Sequence, residues 1–354
     1  MPLELEDLSH DATEHVAKQL NPADILELSS VSDDWDRLLK SFKMSISEFY
    51  VSLRGLSEDE PGLAHILFGL KPFQKSFIHF FFYKKTEEEL KEIEKDPKTT
   101  FKILNGDELM CQRSDAVIKI FTSDPVESFF SVMDHLLLLF PGSVHHVQIA
   151  FCNPTYDPIT FRILKAEQIK LCSKLTLPIS KTISNELVNL VFSLPKLYVF
   201  NFHCSTSKKL THYKPVHIRH LYICFAEWVT RRSLFCFNCE TIDLGDPRVS
   251  LKDLNAFMKK WLEEDSKVLR RFQASYCHGW KWEHEKTGGK DLFDGISWEK
   301  WDPKKSSRPR KFYSKESQEI DMIDGRDIRR GDGALASVKC DKYKFLFVVF
   351  SYPE

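Results

Sequence analysis

The sequence predicts an α/β protein: a three-helix N-terminal module followed by a domain of repeated strand and helix units. Three observations predict it. Apolar residues recur at helical spacing in short capped segments over residues 8 to 42, and from about residue 145 short apolar strands alternate with amphipathic helices. A chain of 354 residues with 42% hydrophobic and 13% aromatic content can also bury more than one core.

In the N-terminal module, Ala12, Val16 and Leu20 fall at i, i+4, i+8 behind a Ser9 or Asp11 cap, which lines them along one helix face. Asn21 and Pro22 stop that helix and start the next, since Asn caps free amides and Pro at the first helical position lacks the amide that would be orphaned. Ile25, Leu26 and Leu28 form the second apolar face. Ser32, Asp33 and Asp34 suit the positive end of a third helix, with Trp35, Leu38, Leu39 and Phe42 as its stripe. So small a module buries too little apolar surface to offset chain entropy and needs something to cover it.

The run LSHDATEHVAKQLNPADILELSSVSDDWDRLLKSF resembles an F-box, with an opening Leu8, apolar Val16 and Leu20, Pro22 ahead of Ile25 and Leu28, then Val31, Ser32, Trp35 and Leu38. Ser9 stands where that family commonly has Pro. The resemblance implies docking onto a Skp-type adaptor of a cullin-based ubiquitin ligase, with Leu8, Val16, Leu20, Pro22, Ile25, Leu28 and Trp35 as the adaptor-binding residues. An ordinary helical subdomain packed on the rest of the chain would share the same periodicity.

Residues 1–45 are thus the expected F-box, 46–144 a connecting mixed α/β region and 145–354 the repeat domain. MSISEFYVSLRGL alternates as a half-buried strand and is expected to begin the second domain. It is followed by the turn SEDEPG, a Phe-rich stretch from Phe77 to Phe82, and KKTEEELKEIEKDPK, a solvated helix with Glu and Lys at i, i+4.

Repeat strands are expected around Ile149, Leu171, Phe200, Ile223, Leu244 and Phe272, at steps of about 21 to 29 residues, the range of leucine-rich repeats. ISNELVNLVFSL, FAEWVTRRSLF and SLKDLNAFMKKWLEE supply the helices, the last behind a capping box of Ser250 and Asp253. Such an array is leucine-rich-repeat-like and presents a long surface to partners. Asp253, Leu254, Asn255, Phe257 and Trp261, together with Asp327, Ile328, Arg329, Arg330, Asp332 and Gly333, resemble the F-box-associated domain common in nematodes. Gly331 and Gly333 are expected in a hairpin turn before a strand over Phe345 to Phe350, and the RGD at Arg330 to Asp332 reads as part of that turn.

Chemistry is sparse. Cys236 and Cys239 form a CxxC followed by Cys277, His278 and His284, but the second tight ligand pair of a structural zinc site is missing, so these read as thiols and no metal or cofactor is expected. No phosphate-binding glycine loop, nucleophile elbow or metalloprotease helix occurs, so no catalytic residue is expected. Trp280, Trp282, Trp298 and Trp301 precede the basic tract PKKSSRPRK, and these Trp residues with Arg308 and Arg310 are the candidate substrate-binding residues.

Composition narrows the partners. Lys plus Arg number 50 against 51 Asp plus Glu, a net charge of -1, so the whole chain attracts neither nucleic acid nor an acidic membrane. An odd set of nine cysteines and an acidic start point to a reduced cytoplasmic or nuclear setting, and the longest apolar runs are too short to span a bilayer. The expected function is a substrate receptor that joins an adaptor to an unknown protein target. The alternatives are an RNA-binding repeat protein using residues 280–313 and a hydrolase with an unrecognised site.

Overall fold

The caps expected at the N-terminus start its helices. In a computed structural model, which describes residues 9–42, 44–54, 63–70, 77–104, 106–151, 157–177, 184–203, 214–277, 290–305, 308–313, 319–341 and 343–351, helices α1 (His10–Ala17), α2 (Pro22–Ser29) and α3 (Asp33–Ser41) follow Ser9, Asn21 and Ser32. Each of those side chains accepts a backbone amide, from Ala12, Asp24 and Trp35 respectively. The chain divides into two compact units, one of residues 1–180 with 194–196, the other of residues 181–193 with 197–354.

In the first unit the helices are followed by β1 (Ile46–Arg54), β2 (Leu63–Leu70), β3 (Phe77–Lys84), α4 (Glu87–Glu94), β4 (Thr99–Leu104), β5 (Asp107–Ser114), β6 (Val117–Thr122) and α5 (Pro125–Leu139). The unit ends with β7 (His146–Phe151), α6 (Asp157–Lys165), α7 (Glu167–Lys170) and β8 (Lys174–Leu177). Its strands run in the order β8, β7, β1, β2, β3, β6, β5, β4. β1 was expected to open a second domain, yet it pairs with both β2 and β7 inside this sheet. α5 covers one face: Phe129 and Phe130 are buried, and Phe129 meets Phe82 edge-on with centroids 5.9 Å apart. α4 is solvated throughout and opens on a Thr86 and Glu89 capping box. The turn at residues 57–62 lies outside the described residues.

The second unit contains α8 (Asn185–Phe192), β9 (Val199–Phe202), β10 (His220–Ile223), α9 (Arg231–Leu234), β11 (Thr241–Gly245), α10 (Leu251–Glu263) and β12 (Arg271–Ser275). Then come β13 (Glu299–Lys300), β14 (Lys311–Tyr313), β15 (Glu319–Asp321), β16 (Arg326–Arg329), β17 (Leu335–Cys340) and β18 (Lys344–Ser351). β9 to β12 are parallel and in sequence order. Phe200, Leu221, Ile242 and Phe272 share their inner row, and α10 packs there through Phe257, 4.8 Å from the Phe272 ring. After β12 the parallel array ends and the sheet continues antiparallel through β18, β17, β16 and β13.

Several expectations are corrected. Leu171 follows the helical turn of α7, and the strand lies at β8, where Lys174–Leu177 alternates in burial. The FAEWVTRRSLF helix is a single turn, α9, because Ala226, Trp228 and Val229 enter the core from the bend before it. The Gly333 turn joins β16 to β17, one strand earlier than expected, with φ of 94° at Gly333 and the Arg330 amide donating to the Ala334 carbonyl at 2.9 Å. Arg330 of the RGD is only 4% exposed and grips Asp332 and the carbonyls of Glu264 and Ser266. Among the described residues no helix is long and apolar enough to cross a membrane.

Ion pairs tie α2 to the first unit's sheet. Lys102 on β4, with its side chain 8% exposed, donates to Glu27 at 2.5 Å, and Arg113 on β5 reaches Asp24 and Glu27. Burial by itself would raise the Glu27 carboxyl, but the hydrogen bonds and charges of Lys102 and Arg113 outweigh it and hold it below the usual range. Its stabilisation is therefore present above the unfolded glutamate value and is lost as pH falls through the lower folded value. Glu27→Gln is expected to cost about 2 kcal/mol in a denaturant melt at pH 7, less than for a fully buried pair because the Glu27 side chain is 37% exposed. Hydrogen exchange of α2, corrected for intrinsic rates, is expected to rise in the wild type below the ordinary glutamate range.

Candidate functional site

On the N-terminal helices the predicted adaptor residues separate into two sets. Pro22, Ile25 and Trp35 are buried in the chain's own core, Ile25 with no exposure at all. They support the helices from within and do not form the exposed apolar surface expected of them. Val16, Leu20 and Leu28 are half-buried, and Val31 between α2 and α3 is 70% exposed. With Ala12 and Leu38, which are half-buried too, these are apolar side chains available to a docking protein among the described residues; Leu8 lies outside them.

The loop residues expected to bind a substrate are also sorted by their contacts. Trp280 and Trp282 lie outside the described residues, as do His278 and His284. Trp298 is 37% exposed and lies against Phe293 and the Arg326 guanidinium, 4.4 Å from the ring. Trp301 is half-buried, and its indole N–H donates to the Arg308 carbonyl at 3.4 Å. Arg308 is no surface anchor: its Nε donates to both Asp327 oxygens at 2.7 and 2.9 Å, and Nη2 donates to the Met322 carbonyl. Its charge also faces the Trp301 and Phe350 rings. Arg310 is about half exposed and clasps Asp321. These two arginines thus anchor their own loop and the hairpin of β14 and β15.

The larger feature was not expected. A groove of 720 Å³ in the second unit is lined by residues from the starts of β10, β11 and β12, from the segment before β12, and from β14 and β18. His220, Thr241 and Arg271 stand side by side in register, facing away from the inner row that holds Leu221, Ile242 and Phe272. One residue earlier, Arg219, Glu240 and Arg270 form a second row, in which the Glu240 and Arg270 amides donate to the carbonyls of Arg219 and Glu240. Arg219 pairs with Glu240 and lies over the Tyr198 ring.

Arg271 forms the floor. It is 3% exposed and its Nη2 donates to Asp243 at 2.9 Å, while Nε and Nη1 have no hydrogen-bond partner among the described residues. Burial outweighs the Arg271 charge at Asp243 and pushes that carboxyl upward. Phe312, Tyr313 and Phe350 make the aromatic wall, and Phe312 and Phe350 pack on a core of Met322, Leu346 and Val348. Sequence reasoning missed this site, although HIRHLY and LRRFQAS each place Arg at a strand start, the signal that could have found it.

Several of the described thiols are poor nucleophiles. Burial pushes Cys111, Cys172, Cys239 and Cys340 up to about 12, and Cys224, beside His203 at 2.8 Å, is raised as well. All stay protonated at neutral pH. Among the described residues the one group of three metal-ligating side chains is His10, Asp11 and Glu14 on the surface, and Cys236 and Cys239 are free. The site's chemistry is therefore charge and aromatic surface, suited to binding.

Residues 209–274 match the model of the F-box associated family. One uncharacterized protein of Caenorhabditis elegans is 26% identical over 386 residues, spanning 100% of this chain and 81% of the relative. A second is 26% identical over 218 residues, covering 60% of this chain and 47% of its own length. No solved structure matches the chain.

Arg308→Ala leaves the Asp327 carboxylate, its side chain 10% exposed, without its fork. The expected loss is about 3 kcal/mol of second-unit stability by denaturant melting, with Arg308→Lys restoring less than half, because an ammonium cannot reproduce the planar fork.

Proposed function

We propose that this chain is the target-binding subunit of a cullin-based ubiquitin ligase: α1 to α3 act as an F-box that docks on a Skp-type adaptor, and the second unit holds a protein target in its groove. One coincidence carries the reading. The F-box associated match, residues 209–274, contains β10, α9, β11 and α10 and almost all of β12, and the starts of β10, β11 and β12 line the groove. The parallel strand and helix succession from β9 to β12 is the leucine-rich-repeat-like part of this receptor. Catalysis is by placement. Holding a target near a charged ubiquitin carrier raises its effective concentration, so the bond-making groups belong to other subunits and this chain is not itself an enzyme. The reduced cytoplasm or nucleus, where its thiols stay free, is the matching setting.

The partly exposed apolar residues of the helical module, Val16, Leu20, Leu28 and Val31 among them, supply the dock. Leu28→Asp in α2 with Val31→Asp just after it is expected to abolish co-purification with a Skp-type adaptor while the thermal melt stays unchanged. Ile25→Asp, by contrast, is expected to unfold the helices, since it places a carboxylate at a position with no exposure. Undiminished adaptor binding in the Leu28 and Val31 double variant would remove the proposed dock. Salt-sensitive retention of RNA by a chain that binds no adaptor would favour the nucleic-acid alternative.

A further inference from the structure

β4 ends the first unit's sheet. It pairs with β5 alone, so alternate residues aim their backbone N–H and C=O groups away from the sheet. The Thr99 amide donates to the Asp96 carbonyl and the Leu104 carbonyl accepts from Ser131; between them, among the described residues, no group beyond β5 takes the backbone of the strand. Natural edges are blunted by shortness, by proline or by a lysine that faces solvent. β13, the edge strand of the second unit's sheet, is two residues long. β4 is six residues long, TTFKIL, with no proline and with Thr, Phe and Ile of high strand propensity. Its one charged residue, Lys102, is 8% exposed and bound to Glu27, which leaves the edge without a charge. Thr100 is exposed, and the Phe101 ring beside it is 47% exposed.

We infer that β4 pairs antiparallel with β4 of a second copy of this chain, about a twofold axis at Phe101, and forms a weak closed dimer. The strand is complementary to itself. Centred on Phe101, the pairing sets that ring opposite its own counterpart on one face of the sheet, where two exposed aromatics become a cross-strand pair. The charges at its two ends are opposite. Lys98 precedes β4, and Glu108 on β5 lies across from residue 103 near the far end; both are exposed, and neither has an ion pair among the described residues. Within one chain the two are too far apart to pair, since residues 98 and 103 are separated by about 16 Å of strand. The twofold axis brings each copy's Lys98 to about 10 Å, backbone to backbone, from the other's Glu108, a gap that the two extended side chains bridge together. Twofold pairing uses each edge once, so growth stops at two copies. Two short strands bury less than a standard interface, which makes the dimer weak and dependent on concentration. The inference is independent of the ligase reading, and in such a receptor the dimer would present two target-binding units to one substrate.

Sedimentation equilibrium of the full chain in reducing buffer, over a wide range of concentration, is expected to show monomer passing to dimer and no larger species. Phe101→Lys is expected to weaken the dimer about tenfold with an unchanged thermal melt, because the position is exposed and the new charge guards the edge. Should that variant disturb folding, Thr100→Lys, also exposed on this strand, carries the same expectation. The register is tested separately. Lys98→Glu and Glu108→Lys are each expected to weaken the dimer about threefold, and the two together to restore it, since the swap rebuilds both symmetry-related pairs. Phe101→Cys treated with a short bismaleimide is expected to give a link from position 101 of one copy to position 101 of the other, identified by peptide mapping so that the exposed Cys224 and Cys277 are told apart from it. A chain that stays monomeric at every concentration, or one that grows into larger assemblies, overturns the inference. So does a dimer indifferent to both lysine variants, a charge swap that stays as weak as its single variants, or the absence of the link between the two positions 101.

Discussion

Alternation across the parallel strands β9 to β12 governs the second unit. A strand turns successive side chains to opposite faces, so once Phe200, Leu221, Ile242 and Phe272 form the inner row, Val199, His220, Thr241 and Arg271 must turn away from it. A slip of one residue would carry the Arg271 guanidinium into the apolar layer against Phe257 and bring Phe272 to the groove. The aromatic layer that drives folding and the cationic floor are therefore one constraint seen from two sides. This explains why an arginine as deeply buried as Arg271 is tolerated: its register is set by its neighbours, and Asp243 on the adjacent strand supplies part of its compensation.

The groove's opposite wall depends on a different buried cation. Arg308 joins Asp327 at the start of β16 to the Met322 carbonyl beyond β15, and Phe350 of β18 lies against its guanidinium. With Met322, Leu346 and Val348 forming one small core, Phe312 and Phe350 are fixed beside it. Basic residues in this loop thus serve as internal struts, while the cations that face the groove come from the strand starts.

The N-terminal helices show the same division between inward and outward residues. Apolar periodicity marks Val16, Leu20, Ile25, Leu28, Trp35 and Leu39 without distinction, yet Ile25, Trp35 and Leu39 are buried and Val16, Leu20 and Leu28 are only half covered. α2 is held by the Lys102 and Arg113 ion pairs as well as by apolar contact. The module therefore has a covered side and a partly open side, and only the open one is available to a partner.

Local signals read well. The caps at Ser9, Asn21, Ser32 and Ser250, the strands at Phe200, Ile223, Leu244 and Phe272, and the long amphipathic α10 were legible because each depends on residues within one turn or one strand of itself. Leu171 and the bend from Ala226 to Val229 were misread because an apolar residue looks the same in a strand, a helix end or a buried turn. The sequence by itself determined the capped helix starts, the long α10 and the apolar row of β9 to β12. Only the tertiary structure decided that Arg308 is internal, that Ile25 faces inward, and that Arg219, Arg270, Arg271 and Phe312 share one groove. The physical reason is separation along the chain: those groups meet through strand pairing and hairpin packing between distant segments, which no local pattern of residues encodes.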